Sequence, residues 1–206
     1  MDDMITEVKL DKRGALVTVN HSERLWFNRS AWQERSFQEG EAVELQELKS
    51  WLLPRQYTLA LHAAVAYLAA RPQSSGELDR KLQAKQILPE AVELVIYKLE
   101  KEGLLDDEAF ARDWAAARAR KQVGRNRILQ ELRMKGVERE IAERAVGELD
   151  PDECADPAVA LAHKLLRRYE NEEPYKAVQK FMAAMARRGY PPCEARSAMN
   201  KAKAQG

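Results

Sequence analysis

The chain has 206 residues, a net charge of +1, 45% hydrophobic residues and 33% charged residues. This length allows one or two domains with a real core, and the composition excludes an intrinsically disordered chain. No apolar run approaches the roughly 20 residues of a membrane span, and the acidic start MDDMITEVKL is unlike a signal peptide. We therefore expect a cytoplasmic protein that enters no membrane, with Cys154 and Cys193 as reduced thiols.

The small net charge conceals a difference between the two halves of the chain. Residues 1–111 contain 14 basic and 19 acidic side chains, whereas residues 112–206 contain 20 basic and 14 acidic ones. An excess of positive charge in one half favours an anionic partner for that half.

The first 54 residues predict a small module that contains β-strands. Two short runs, ALVTVN at 15–20 and RLWF at 24–27, are rich in β-forming residues. A short helix is expected to follow, with Ser30 as its N-cap and Gln33 completing a capping box. The tryptophans of this region are expected to form its core: Trp26, Trp32 and Trp51.

From Tyr57 onward the apolar residues recur at helical spacing, and proline and glycine separate the segments. The pattern predicts nine helices in groups of three. We therefore expect a mainly α fold with three tandem three-helix repeats that form an elongated array after the β-containing module. The predicted domain limits are 1–54 for the module and 55–105, 106–152 and 153–206 for the three repeats.

An internal comparison supports the grouping into repeats. When residues 78–99 are shifted by 50 onto 128–149, five positions are identical. These are Leu82/Leu132, Lys85/Lys135, Glu90/Glu140, Glu93/Glu143 and Leu99/Leu149. A further shift of 53 pairs Gly136 with Gly189. Both glycines follow a helical segment, which predicts that each occupies the C′ position with a positive φ.

The stretch GLLDDEAFARDW contains two adjacent carboxylates, Asp106 and Asp107. One interpretation is a metal-dependent enzyme, but a metal site needs further oxygen ligands and a catalytic dyad needs a pocket. The other is structural: Asp106 is the N-cap and Asp107 lies in the first turn, where negative charge is favourable. Phe110 and Trp114, four residues apart, would then face the core. We favour the structural interpretation and expect no metal, no cofactor and no catalytic residues.

Three clusters of basic residues are candidates for a partner-binding surface. The middle repeat supplies Arg118, Arg120, Lys121, Arg125, Arg127, Arg133 and Lys135, and the third repeat supplies Lys164, Arg167 and Arg168, then Lys180, Arg187 and Arg188. Such a surface fits a phosphate backbone or an acidic protein, although solvated helix faces are also charged. Arg118, Lys121, Arg125 and Arg127 occupy polar positions of the pattern, so we expect that reversing their charge leaves the fold intact.

GLLDDEAFARDW together with VGRNRILQELRMKGVEREI resembles the central signature of the RecX family, bacterial regulators of the RecA recombinase. The resemblance rests on Leu105, Asp106, Asp107, Phe110, Ala111, Gly124, Ile128, Glu131, Leu132, Lys135, Gly136 and Val137. The RRGY at 187–190 resembles the C-terminal element of the family. The first repeat departs from the pattern, because Pro72 and Gln73 separate Arg71 from the serines that follow.

The resemblance implies a monomeric regulator that binds the RecA–DNA filament and inhibits its ATPase, strand exchange and growth. It would act in homologous recombination, DNA repair and the SOS response, with single- or double-stranded DNA as a further partner. The alternative is a helical-repeat protein that binds nucleic acid without RecA, for which tight and strongly salt-dependent binding to bare DNA would be diagnostic.

Overall fold

The computed structural model describes residues 3–149 and 151–205, without the side chains of residues 151–156. The chain divides into two compact units, Met1–Leu105 and Asp106–Gly206. The predicted class, mainly α with three three-helix repeats after a β-containing N-terminal module, is confirmed by the elements of the two units.

The N-terminal module is a four-stranded antiparallel sheet in the order β3-β2-β1-β4. Its strands are β1 (Asp3–Asp11), β2 (Gly14–Val19), β3 (Glu23–Asn28) and β4 (Ala42–Val43). Alternation along the strands places Val17, Val19 and Leu25 on the buried face. Gly14 pairs with Asn28 at a point where a Cβ would lie 1.9 Å from the Phe27 carbonyl oxygen, so only glycine fits there.

The short helix α1 (Arg29–Glu34) follows β3 directly, and its N-cap corrects the sequence-based expectation. Asn28 is the N-cap, because its Oδ1 accepts a hydrogen bond from the Ala31 amide at 2.9 Å. Ser30 lies inside the helix, and its hydroxyl donates to Asn28 Oδ1 at 3.2 Å. The helix therefore begins two residues earlier than expected, because asparagine is as strong a cap as serine.

The aromatic core of this module centres on Phe27, which is fully buried. The rings of Trp32, Phe37 and Trp51 surround it at centroid distances of 5.4–6.2 Å. Trp26 is absent from this cluster, because the next residue along a strand points to the opposite face of the sheet. The expectation of a core made of three tryptophans is thus wrong for Trp26.

Helix α2 (Leu45–Ala70) joins the sheet to the first repeat without a break, and Pro54 lies inside it. Gln56, buried on this helix, donates to the Trp26 carbonyl at 2.7 Å and accepts from the Leu88 amide at 2.5 Å. Side chains of the sheet and of α2, α3 (Ser75–Gln83) and α4 (Pro89–Lys101) form one hydrophobic cluster. The module and the first repeat thus share a core.

At the start of α3, Ser74 is the N-cap and its hydroxyl accepts from the Glu77 amide at 3.2 Å. Arg71, at the point where the sequence departs from the family pattern, pairs with the Glu77 carboxylate at 3.1 Å. The arginine therefore has a structural partner within its own repeat.

The second unit contains the other two repeats. The middle repeat consists of α5 (Asp107–Arg120), α6 (Arg125–Met134) and α7 (Arg139–Gly147). The third consists of α8 (Pro151–Arg168), α9 (Pro174–Arg187) and α10 (Pro192–Ala204). Each has its own hydrophobic cluster.

Equivalent positions of the three repeats are buried in all three, which supports the internal alignment. In the second helices these positions are Leu78/Ile128/Phe181 and Leu82/Leu132/Met185, and in the third helices Val92/Ala142/Ala195 and Val95/Ala145/Ala198. At both third-helix positions the first repeat has valine and the other two repeats have alanine. In the third repeat the larger side chain of Phe181 offsets the smaller alanines, because the volume of a close-packed core must stay filled.

The turn between the second and third helices has a residue with positive φ at the equivalent position of every repeat. Gln86, Gly136 and Gly189 occupy equivalent positions, with φ values of 60°, 81° and 87°. In the second unit the residue after each glycine donates back to the helix, Val137 to the Leu132 carbonyl and Tyr190 to the Met185 carbonyl, both at 3.1 Å. This is a Schellman C-cap, which satisfies carbonyls that the helix end leaves open.

The first repeat carries glutamine where the others carry glycine, and this difference is testable. We expect Gln86→Gly to stabilise the protein by up to about 1 kcal/mol, because a side chain is strained at positive φ. Gly136→Val should destabilise it by more than about 1 kcal/mol for the same reason. Urea unfolding followed by tryptophan fluorescence measures both. A lower urea midpoint for Gln86→Gly than for wild type would contradict the positive φ assigned to Gln86.

Candidate functional site

The adjacent aspartates at the start of α5 have structural partners. Asp106 is the N-cap, and its Oδ1 accepts from the Ala109 amide at 2.9 Å. Asp107 lies in the first turn, and the rings of Phe110 and Trp114 stack at a centroid distance of 6.1 Å. Within the described residues no three His, Cys, Asp or Glu side chains are grouped as metal ligands. The pair begins a helix, and the candidate surface lies elsewhere.

The second and third repeats meet through their backbones at two glycines. A Cβ on Gly124 would lie 2.3 Å from the carbonyl carbon of Gly189, and one on Gly189 would lie 2.4 Å from Arg127 Cβ. Real Cβ atoms do not approach other atoms this closely, so neither position accepts a side chain. We call the contact between residues 121–127 and 187–194 the junction.

Two backbone hydrogen bonds hold the junction. The Gly124 amide donates to the Arg188 carbonyl at 2.8 Å, and the Asn126 amide donates to the Gly189 carbonyl at 3.1 Å. Arg125 adds an ion pair with Glu194 at 3.5 Å and a hydrogen bond to the Leu149 carbonyl at 3.3 Å. Because these bonds join backbone atoms of both repeats, the two repeats have a defined relative orientation.

Glu131 on α6 is the centre of a second polar network. Arg118 on α5 donates two hydrogen bonds to its carboxylate, at 2.6 and 2.5 Å. The Trp114 indole and the Arg127 guanidinium each donate to it at 3.3 Å. Only 19% of the Glu131 side chain and 26% of the Arg118 side chain are exposed, so the pair is largely shielded from water. This network binds α5 to α6.

The environment of Glu131 acts on its pKa in two directions. Burial raises the pKa, because it disfavours the charged form, whereas the hydrogen bonds and positive charge of Arg118 lower it, with further contributions from Arg127 and Trp114. The donors prevail, and the pKa of Glu131 lies below its ordinary value. The hydrogen bonds from Arg118 to Glu131 also raise the pKa of the arginine, so both remain charged.

These contacts correct the expectation that four middle-repeat cations can be reversed without affecting the fold. Arg118 is paired with Glu131, and Arg125 is paired with Glu194 across the junction. Arg127 pairs with Glu131 and donates to the Arg187 carbonyl at 3.5 Å. Glutamate at these positions would place like charges together and destabilise the fold. The expectation failed because the pattern of polar positions does not reveal which cations pair with carboxylates. Lys121 and Arg127 are the exposed members of the four, and of these two only Lys121 has no ion pair among the contacts of the described residues.

The junction brings exposed cations from the ends of two helices into one region. Arg120 and Lys121 end α5, and Arg187 and Arg188 end α9, where the Arg188 carbonyl accepts from Gly124. We call these four residues the junction cations. Cations at helix C-termini also interact favourably with the helix dipole, which gives them a local structural role as well.

The other predicted cations are not brought to the junction by any contact of the described residues. Arg133 is exposed on α6, and the Lys135 ammonium lies 4.1 Å above the Trp114 ring. Lys164, Arg167 and Arg168 are exposed on α8, and Lys180 pairs with Glu172. The sequence does not reveal that Glu131 and Glu194 organise the region, because Arg118 and Arg125, with which they pair, are 13 and 69 residues away in the chain.

Two further observations bear on the class of protein. No helix in the described part of the chain is long and apolar enough to cross a membrane. Cys193 is a free, exposed thiol near the start of α10, whereas the side chain of Cys154 lies outside the described residues.

The steric requirement at the junction gives a direct test. Gly124 has φ −74°, which alanine adopts without strain, so only the close approach of Gly189 opposes a methyl group. We expect Gly124→Ala to destabilise the second unit by about 1–3 kcal/mol. The control is Gly147→Ala, a position within α7 with open space around it, where alanine should stabilise the helix by about 0.5–1 kcal/mol. Equal melting temperatures for Gly124→Ala and wild type would contradict the contact.

The Glu131 network predicts that the stability of the fold depends on pH. Because the pKa of Glu131 is lowered on folding, the ionised carboxylate stabilises the fold above its unfolded-state pKa, and this contribution is lost as the pH falls through the folded-state pKa. Glu131→Gln should therefore cost about 1–2 kcal/mol at neutral pH and progressively less at acidic pH. Urea titrations across that range measure the difference. The control Glu143→Gln, which removes an exposed pair with Arg139, should change stability much less.

Comparisons with known proteins agree with this architecture. Family models described as the first, second and third three-helix domains of RecX match residues 60–99, 106–146 and 152–199. A regulatory protein RecX of Amycolatopsis mediterranei is 33% identical over 137 residues, which are 66% of this chain and 78% of that protein. One from Escherichia coli O1:K1 is 40% identical over 109 residues, 48% of this chain and 66% of that protein.

A solved structure shares the fold over nearly the whole chain. The crystal structure of a regulatory protein RecX aligns with a TM-score of 0.65 and 22% identity, and the alignment covers 98% of each chain. The three family matches lie on the three repeats, and the relative from Amycolatopsis mediterranei is covered over most of its length. The chain therefore belongs to the RecX family.

Proposed function

We propose that this protein binds the RecA–DNA filament and inhibits its ATPase, strand exchange and growth during homologous recombination and DNA repair. Membership of a family whose members are named regulatory proteins supports a regulatory rather than a catalytic role. In this proposal it acts as a monomer in the cytoplasm, without a cofactor.

The junction cations are the observation that supports a contact with the RecA–DNA filament. These four exposed side chains come from two different repeats and are held by a backbone contact rather than by flexible loops. A nucleoprotein filament presents phosphates and acidic side chains, and a cationic surface of fixed geometry favours both encounter and orientation. Glu131 and Glu194, the acids of the two polar networks in this region, are already paired with arginines.

The direct test is RecA's ATPase on single-stranded DNA, measured with and without this protein. We expect wild type to lower the rate. The variant Arg120→Gln, Lys121→Gln, Arg187→Gln keeps its fold, because none of the three side chains has a partner among the contacts of the described residues. It should need roughly tenfold more protein for the same inhibition, because exposed charges contribute mainly to encounter and orientation.

The control is a second triple variant with the same change in net charge, Lys12→Gln, Arg29→Gln, Lys101→Gln. These three exposed residues lie in the first unit, and this variant should inhibit RecA as well as wild type does. Full inhibition by the junction variant would move the contact to another surface. If wild type left RecA unaffected while binding bare DNA tightly, the alternative of a nucleic-acid-binding protein acting without RecA would replace the proposal.

A further inference from the structure

The second and third helices of the three repeats differ greatly in charge, although they have the same fold. From α3 to the end of α4 (75–101) there are five basic and five acidic residues, and from α6 to the end of α7 (125–147) there are six and four. From α9 to the end of α10 (174–204) there are seven basic residues and one acid, Glu194. That acid is paired with Arg125.

The exposed side of α10 forms one continuous polar stripe. Its exposed members are Cys193, Arg196, Ser197, Asn200, Lys201 and Lys203, which recur three or four residues apart. Ala195, Ala198 and Ala202 are buried on the opposite side. Within the described residues no ion pair involves the three cations of the stripe, so their charges are available to a partner.

The equivalent helices show that the fold does not require this stripe. On α4 the exposed side contains Leu94 and Tyr97 beside the acid Glu93. On α7 the exposed arginines are paired, Arg139 with Glu143 and Arg144 with Glu108. A cationic face without acids is therefore a property of the third repeat and not of three-helix packing.

We propose that the exposed face of α10 binds double-stranded nucleic acid. A polyanion is the partner that charge complementarity selects, because the face carries Arg196, Lys201 and Lys203 and no carboxylate. The centre of a stable protein interface is enriched in apolar and aromatic side chains, and no large hydrophobic side chain is exposed on α10. Ser197 and Asn200, between the cations, can donate to phosphates or to base edges.

The duplex is preferred to a single strand for a geometric reason. Single-strand binding sites stack bases on aromatic rings, and α10 contains no aromatic residue. An α-helix fits the major groove of a duplex, and the 13 residues of α10 span about 20 Å. The four-residue turn at 188–191 that connects it to α9 has the length and the glycine found in helix-turn-helix connections.

The binding face is held rigidly from behind. Glu194, near the start of α10, is joined to Arg125 of the middle repeat, and the turn before α10 forms the junction. Neither contact uses a side chain of the exposed stripe. The stripe can therefore be altered without disturbing the packing of the third repeat.

The test uses the full chain without RecA and a short fluorescein-labelled DNA duplex, with anisotropy measured over a range of salt concentrations. We expect Arg196→Gln, Lys201→Gln, Lys203→Gln to weaken duplex binding at least about tenfold at low salt. The slope of log affinity against log salt should become shallower by about 0.9 for each phosphate that the variant no longer neutralises, so by up to about 2.7. An unchanged thermal midpoint verifies that the variant is folded.

The variant Lys12→Gln, Arg29→Gln, Lys101→Gln has the same net charge and should bind the duplex as wild type does. An equally weakened affinity in this control would show an effect of overall charge and overturn the proposal, as would wild-type affinity in the α10 variant. Tighter binding of wild type to the matching single strand would overturn the choice of a duplex. If the α10 variant kept its duplex affinity but lost binding to RecA in a separate binding assay, the face would belong to a protein partner and the proposal would be overturned. Because RecA is absent from the duplex assay, failure here leaves the proposed inhibition of RecA untouched.

Discussion

The left-handed turn between the second and third helix of each repeat is the constraint on which the second unit depends most. It reverses the chain in four residues and turns the apolar residue that follows, Val137 or Tyr190, into the core. In the third repeat the same turn also provides the surface on which Gly124 rests. One backbone conformation thus closes a helix, completes a core and joins two repeats.

The three repeats retain this turn, but their side chains differ in the cores, ion pairs and surfaces that they form. The first shares its core with the N-terminal sheet through the long helix α2, and its third helix exposes Leu94 and Tyr97. Among the described residues of the three repeats, the second has the most ion pairs, and two of them are made to Glu131. The third lacks acids on its last two helices apart from Glu194. Divergence of this kind gives one chain three different surfaces on a shared three-helix fold.

Charge alone is a poor guide to which cations of this protein meet a partner. Arg118 and Arg125 hold helices and repeats together, since each has a carboxylate within 3.5 Å and is largely or partly buried. Arg120 and Lys121, a few residues away, are exposed. The first pair contributes to stability, because a shielded ion pair is costly to break. The second pair is exposed and has its role only in the proposed contact with the filament.

The sequence by itself determined the helices, the breaker positions, the N-cap at Asp106 and the positive φ at Gly136, because each depends on residues within one or two turns of the chain. It could not determine that α2 continues through Pro54, that Glu131 pairs with Arg118, or that Gly124 needs to be glycine. The ion pair of Glu131 and the need for glycine at 124 depend on atoms that lie close in space but 13 and 65 residues apart in sequence. Only the tertiary structure decided which cations are structural and which are exposed, because burial and partner distance are properties of the packed chain.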